Sequence, residues 1–384
     1  MQRIGILDEL EHVVKEKRKT NPFLKVASDL IPRKLLFKLG IVAKMKLKTS
    51  MTDMPYAIED AELLSELGYN LVKKENGDDE GLMCEGEYRY FFTKYTKYEF
   101  VTGDNDCVRQ HILPKAGINC NIHLLDCTKI EVNLKNENYK GAAIVKDDEG
   151  IKRGYKAGTL RGISGDGGVI EEIRFGSISE HDLTLCRDMI LTSQVLKQGD
   201  ILINDRGFLS REIINELKAK RGVDVYVPLK KGMDAYEEAV LLAKMPETKW
   251  YNHPNKKRNT QKIAFVSELG EMWQSDDPKN DVSINGCVVH DSKDDEYYVF
   301  ITTDTTKTAR QIICAYEMRP EIEEDYRQLK DFWNLEDFKS TKLCLITFHI
   351  ICVLLGYLMF QIYVATDEGK KYSGKSLPVI IKAP

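Results

Sequence analysis

Residues 316–330, YEMRPEIEEDYRQLK, place Tyr316, Arg319, Glu323 and Lys330 at intervals of three, four and seven. A seven-residue step is about two helical turns, so Glu323 and Lys330 project from one face of a helix over Pro320–Phe332. A carboxylate and a cation on one face is what a phosphate-gripping helix needs. Pro320 suits a first helical turn and disfavours α geometry at the residue before it. The spacing therefore predicts Tyr316 on a preceding helix, Thr305–Met318, and Arg319 at the junction, beside a helix N-terminus that attracts phosphate. Alone, the pattern also fits a solvated amphipathic helix with i,i+4 charge pairs.

Working outward, two more carboxylates stand where apolar strands are predicted to end. Asp126 follows Ile122–Leu125 and precedes Cys127 and Thr128, and Asp205 follows Gly199–Asn204 in the run ILINDRGF. A strand end holds its side chain rigidly at a sheet edge, while a helix can present a third carboxylate from above. Three such oxygen donors, Asp126, Asp205 and Glu323, suit Mg²⁺, a hard ion that keeps waters and binds substrate phosphates. Two ions ~4 Å apart would activate a water or 3′-hydroxyl and stabilise the leaving oxygen of a phosphodiester. Each acid singly is ambiguous, because the chain has 60 Asp and Glu and a strand-terminal Asp is often a turn former.

The surrounding elements alternate. The hairpin Gly154–Leu160 and Val169–Phe175 turns at the glycine-rich residues 165–168, a string that between two strands is a turn rather than a phosphate loop. An amphipathic helix from His181 to about Leu196 follows, then the Gly199–Asn204 strand, a helix over Leu209–Arg221 and a strand over Val223–Leu229. Strands and helices mixed in this order predict one sheet with helices on its faces. Residues 230–296 break the rhythm with Trp250, Trp273, turns and charge clusters, and read as an inserted, mostly β module before the strand Tyr297–Thr303.

The front of the chain is uneven in charge. Residues 1–50 hold 12 Lys and Arg against 5 Asp and Glu, a net +7, with helical apolar spacing around Phe23–Val26 and Leu35–Val42. This segment reads equally as a face for a phosphate backbone or as a solvated helix. Residues 51–85 carry a net −8, and the aromatic run Tyr88–Phe100 reads as packed structure before a base-stacking surface. No secretory signal opens the chain. Leu343–Thr366 is long enough to span a bilayer, but His349, Gln361 and the charged segment before it favour a buried core helix.

Composition narrows the class. The 384 residues are 42% hydrophobic and 30% charged, which excludes collagen-like, disordered and disulfide-scaffold proteins. A net charge of −4 excludes DNA coating by bulk positive charge. Nine cysteines, odd in number and never in a C-x-x-C pair, point to reduced thiols in a cytosol and against a structural zinc site. His111, His123, His253 and His290 lack metal-ligand spacing and read as satisfied surface or strand histidines. His181 is a candidate neighbour of the metal site. P-loop, dinucleotide and Ser-His-Asp patterns are absent, which disfavours ATP-driven and hydride-transfer chemistry.

The Tyr316-Arg319-Glu323-Lys330 spacing resembles the Tyr-Arg-Glu-Lys signature of bacterial insertion-sequence transposases with an Asp-Asp-Glu catalytic triad. RPEIEEDYRQLK around Glu323, ILINDRGF around Asp205 and HLLDCTKI around Asp126 are similar to that family, as are Gly154-Tyr155-Lys156 and the His181-Asp182 helix start. The resemblance covers roughly residues 119–365. It implies an α/β, ribonuclease H-like mixed sheet flanked by helices, a β-rich insertion before the catalytic Glu and a mainly helical N-terminal region. The implied divisions are 1–118 for transposon-end binding, 119–229 and 297–384 for the two parts of the core, and 230–296 for the insertion.

It also implies that Asp126, Asp205 and Glu323 are catalytic and hold two Mg²⁺ or Mn²⁺ ions. Tyr316, Arg319 and Lys330 would grip DNA phosphates, and Trp273, or Trp250, would hold a flipped base in a hairpin step, against core packing of a large aromatic as the commoner reading of either one. Cys127 replaces the family's usual small residue, the N-terminal segment shows no clear helix-turn-helix, and little chain follows the apolar helix for a separate dimerisation domain. The expected function is cleavage of element ends and their joining to target double-stranded DNA, by a cytoplasmic, nucleoid-associated homodimer without membrane contact. A nuclease of the same fold that cuts without joining, and a non-catalytic DNA-binding relic, remain alternatives.

Overall fold

A computed structural model describes residues 33–47, 50, 97–164, 167–269, 273–274, 276–372 and 374–375. The segment Phe23–Val26, the acidic residues 51–85 and the aromatic run as far as residue 96 lie outside the described residues. Helices α1 (Arg33–Met45) and α2 (Glu99–Lys115) precede the sheet. Strands β1 (Ile122–Val132), β2 (Ala143–Asp147), β3 (Gly150–Ser164) and β4 (Gly167–Ser177) lead to α3 (Asp182–Thr192), β5 (Ile201–Asn204), α4 (Arg211–Arg221) and β6 (Asp224–Pro228). Then come α5 (Asp234–Ala243), β7 (Trp250–Asn252), β8 (Gln261–Val266), β9 (Asn285–Asp291) and β10 (Glu296–Thr302), with α6 (Ala309–Tyr316), α7 (Pro320–Asp331) and α8 (Leu343–Ala365) last.

The ten strands among the described residues form one mixed sheet in the order β2-β3-β1-β5-β6-β10-β9-β8-β7, with β4 also paired to β3. At its centre β1, β5 and β6 run parallel, while every other pairing is antiparallel. The sheet separates two apolar cores. Residues of α1, α2, α6, α7 and α8 fill one, and those of α3, α4 and α5 fill the other. This is the mixed α/β architecture flanked by helices that the sequence predicts, and it is compatible with a ribonuclease H-like transposase core.

Two differences from expectation matter. β1 does not end at Asp126: it runs on to Val132, because its second half stays paired to β3 after the shorter β5 has stopped. Residues 230–296 include the helix α5, and their strands continue the central sheet through the β9–β10 pairing. The strand-rich reading overlooked α5 because turn signals and charge clusters hid its short apolar face, on which Ala235, Tyr236, Ala239, Val240 and Ala243 are buried.

Helix α8 is apolar all round, as a fully enclosed helix must be. Among the described residues it alone is long and apolar enough to cross a membrane, and 89% of its most apolar window is buried inside the protein. Its polar interruptions serve the core. His349 Nε2 lies 3.0 Å from the Asn334 carbonyl, and Gln361 accepts from the Ile170 amide at 3.2 Å and donates to Asp325 at 3.3 Å. On the opposite face, Gly158 lets β3 meet α3 closely, since a Cβ there would stand 2.2 Å from Cys186 Sγ. The Sγ atoms of Cys186 and Cys127 are 3.7 Å apart, and both remain free thiols.

At the start of β1, His123 is fully buried between Glu171 Oε2 at 2.7 Å and Asp200 Oδ2 at 3.2 Å. Both neighbours only accept when ionised, so both ring nitrogens donate, which the imidazolium alone can do. Burial by itself would lower the His123 pKa, but the hydrogen bonds to Asp200 and Glu171 outweigh it and raise it to about 9. The folded state thus holds this proton more tightly than the unfolded chain, and the contribution is complete below pH ~6.5 and lost as pH rises through about 9. We expect about 3 kcal/mol of unfolding free energy to disappear between pH 6.5 and 9.5, measured by urea denaturation, and His123→Gln to remove that dependence.

Candidate active site

The parallel pairing of β1 with β5 ends at Leu125 opposite Asn204. The next residue on each strand is an aspartate, so Asp126 and Asp205 stand side by side where two central parallel strands end or lose their partner. Such carboxyl ends are where open α/β sheets bind ligands. Each aspartate ties one oxygen to its own backbone. Asp126 Oδ1 accepts from the Cys127 amide at 2.8 Å, and Asp205 Oδ1 from the Arg206 amide at 2.7 Å. The tight turn after Asp205 is anchored by Phe208, which is buried. In both residues Oδ2 is left to face the site.

Glu323 comes from α7, which starts at Pro320 and crosses above these strands. Three of its residues, Glu321, Asp325 and Tyr326, fix the helix. Asp325 accepts from Arg161 Nε at 2.9 Å and from the Tyr357 hydroxyl at 2.8 Å, and Arg161 Nη1 donates to Glu321 at 2.8 Å. The Tyr326 hydroxyl donates to the Asp126 carbonyl at 2.6 Å and lies 2.7 Å from Thr159 Oγ1. Tyr326 is three residues beyond Glu323, so one turn of helix links the backbone of the first acid to the side chain of the third.

Arg319 is where the carboxylates meet. Its Nη2 lies 3.0 Å from Asp126 Oδ2 and 3.4 Å from Asp205 Oδ2, while Nη1 lies 2.5 Å from Glu323 Oε1. The Arg319 side chain is 16% exposed. Arg319 has φ −53° and ψ −38°, so it does adopt the α geometry that a following proline disfavours. Turn hydrogen bonds from Arg319 N to Tyr316 O and from Ile322 N to Arg319 O carry the chain almost continuously from α6 into α7, and three ion pairs stabilise that path.

The electrostatics follow. Burial pushes the Asp126 carboxyl up to about 6; Arg319 and the Cys127 amide oppose the rise, and Asp205 and Glu323 add to it. Burial lowers the Arg319 pKa, but Asp126 and Asp205 more than offset this, so it stays a cation. Burial, with help from Asp205 and against Arg319, pushes the Tyr316 phenol up to about 12, so it remains a donor. The oxygen-only donor set is that of a hard divalent ion, with no sulfur or imidazole among the three. As placed around the guanidinium, the acids are not spaced to share an ion: among the described residues no group of three His, Cys, Asp or Glu has that spacing.

The other expected site residues fall into two groups. Tyr316 stands beside the triad, its ring 4.7 Å from that of Phe300. Lys330 lies on α7 as expected, but its Nζ pairs with Glu336 at 3.2 Å and makes no contact with the acids. His181 caps α3, accepting from the Leu183 amide at 3.2 Å. Trp273 corrects the expectation of a base-holding side chain: it is 1% exposed and its Nε1 donates to Asn215 at 2.7 Å inside the second core. A large aromatic with its one polar atom satisfied gains more from burial than from standing in water. Trp250 is half-buried and donates to the Ala243 carbonyl at 3.2 Å.

The sequence also hid a cavity of about 590 Å³ next to Arg319, on the same sheet face as the triad. Phe300, Tyr298 and Tyr316 give it aromatic walls, and His253, Asn255 and Arg258 line its polar side. His253 is 7% exposed; its Nδ1 accepts from the Asn255 amide at 3.1 Å, and its Nε2 has no partner among the described residues. The charged cluster at residues 255–258 was visible in the sequence, but nothing there says that β8 brings it to the start of α7.

The sequence profile described as the Transposase DDE domain matches residues 135–359, more than half of the chain. The chain belongs to the DDE transposase family. The match takes in Asp205 and Glu323 and begins after Asp126, whose place in the site rests on the strand pairing above. No curated protein matches the sequence. Family membership makes this a DNA-acting transposition enzyme, of a class that generally works with divalent metal ions.

Tyr326→Phe deletes one hydroxyl and leaves the Asp126 carbonyl and buried Thr159 short of a partner. A loss of about 1–3 kcal/mol in unfolding free energy is expected, read from chemical denaturation.

Proposed function

We propose that this is a bacterial insertion-sequence transposase carrying the Tyr-Arg-Glu-Lys signature. It cleaves the ends of its element and joins the freed 3′ ends to target DNA, using Asp126, Asp205 and Glu323 to hold two Mg²⁺ or Mn²⁺ ions. The observation that carries this reading is the meeting of three acids, from two strands and a helix, around one point. When bound, such ions supply an activated oxygen nucleophile and stabilise the leaving oxygen. The chain's own residues set the geometry. Asp126 and Asp205 each direct the oxygen not tied to backbone toward the phosphodiester, and Tyr326 fixes Glu323 relative to them.

Tyr316 donates its phenolic proton to a phosphate beside the cut, and Arg319 offers a fork suited to bidentate phosphate binding. Lys330 exchanges Glu336 for a phosphate about two helical turns along α7. A base unstacked from the DNA end, in place of Trp273, enters the cavity between the Phe300–Tyr316 walls and the amide and guanidinium groups of Asn255 and Arg258. Two element ends require at least a homodimer on DNA, and residues 1–118 supply end recognition. The enzyme works on the nucleoid, in the cytoplasm.

Asp205→Asn and Glu323→Gln are each expected to lower Mg²⁺-dependent end cleavage and strand transfer by roughly 10²–10³-fold, followed on labelled element ends. Undiminished nicking in either variant would remove that acid from the site, and cleavage without joining in the parent protein would reduce the activity to that of a nuclease. Lys330→Ala should weaken end binding and flatten the plot of log affinity against log salt by about 0.9, one phosphate contact. An unchanged slope would remove Lys330 from the DNA surface.

A further inference from the structure

The arrangement around Arg319 goes beyond gripping a phosphate. Its two terminal nitrogens touch all three carboxylates, and the ion that those oxygens would hold needs the same space. An oxygen ligand of Mg²⁺ lies at ~2.1 Å from the ion, so a guanidinium at 3.0 Å from Asp126 and the bound ion exclude one another. The third nitrogen, Nε, is buried with no hydrogen-bond partner among the described residues. The same side chain lines the neighbouring cavity, which it shares with Arg258 and with the buried, unpartnered Nε2 of His253.

We propose that Arg319 is a tethered competitor of the metal, which makes metal loading depend on DNA. In the DNA-free protein its guanidinium neutralises part of the triad's charge and holds the three acids together. A DNA phosphate at the mouth of the cavity draws the fork away through a bidentate pair, and the carboxylates are released to bind divalent ions. By linkage, ions that displace Arg319 also strengthen the grip on DNA, because the two events share one side chain. The device keeps a nuclease site uncharged with metal until its substrate is seated. This inference rests on the triad being the metal site.

The test titrates full-length protein with Mn²⁺ and reads free ion by electron paramagnetic resonance, with and without a duplex of the element end. Arg319→Gln should bind Mn²⁺ roughly tenfold more tightly than the parent protein without DNA. The gap should close when DNA is present. Arg206→Gln removes a neighbouring charge that does not touch the acid oxygens, and should change the affinity less than twofold. Equal Mn²⁺ affinity in Arg319→Gln and parent would overturn the proposal, as would an equal gain in Arg206→Gln, which would reduce the effect to general charge. No Mn²⁺ binding in any form would instead overturn the metal assignment beneath it. If circular dichroism shows Arg319→Gln unfolded, Arg319→Lys serves: it keeps the charge, cannot span three carboxylates, and should show a smaller gain in the same direction.

Discussion

The site depends on where one parallel pairing stops. β5 is four residues long and β1 eleven, and their common register ends at Leu125 and Asn204. Up to that point both strands spend their polar backbone groups on each other. One residue later the chain is still held, by β3 on one side and by the turn after Asp205 on the other, but the gap between them has opened. Two carboxylates can therefore be rigid and close together without either being sealed in the core. Any shift of register by one residue would turn Asp126 to the opposite face of the sheet, since side chains alternate along a strand.

Bringing a third acid to this gap raises a problem of charge. Three carboxylates at one place repel one another, and the rise of the Asp126 pKa to about 6 records the burial and crowding together. The fold answers it with cations and with anchoring away from the site. Arg319 stands among the acids, and Arg161 fastens α7 through Asp325 and Glu321 on its flank. A buried pair such as Arg161–Asp325 contributes little net stability once its desolvation cost is counted. Its use here is positional: with the Tyr357 and Gln361 contacts, it sets the rotation of α7 that brings Glu323 over the strand ends.

Much of this was legible in the chain, for identifiable reasons. The strand before Asp205, the α6–α7 junction and the buried reading of Leu343–Thr366 follow from apolar runs and proline placement, which are local signals. The apolar run before Asp126 marked a strand, although that strand was expected to end there; only its neighbour's shortness, a non-local fact, shows that β1 continues. The helical conformation of Arg319 was missed because the proline rule describes an isolated dipeptide, and here three ion pairs and two flanking turns outweigh it. For Trp273 two readings stood, a base-holding side chain and core packing; the choice between them lay with Asn215, 58 positions away, which takes its N–H. The cavity beside Arg319 needed the pairing of β8 with β9, which no motif encodes.

That pairing has a consequence for catalysis. Had residues 230–296 formed a module hung on flexible linkers, the His253–Arg258 wall would move relative to the carboxylates, and a phosphate or base bound there would be positioned poorly. Instead β7, β8 and β9 are hydrogen-bonded in series to β10, which is hydrogen-bonded to β6, and so to the strands that carry Asp126 and Asp205. Helix α6 lies across this extension, with Ile312 and Ile313 buried, and runs directly into Arg319. The groups that would hold DNA and the groups that would cut it are thus parts of one rigid sheet and one helical junction. An error of an ångström in placement can cost orders of magnitude in rate. A single sheet is the arrangement that keeps that error small while Arg319, which touches all three acids and also lines the cavity, moves between the two places.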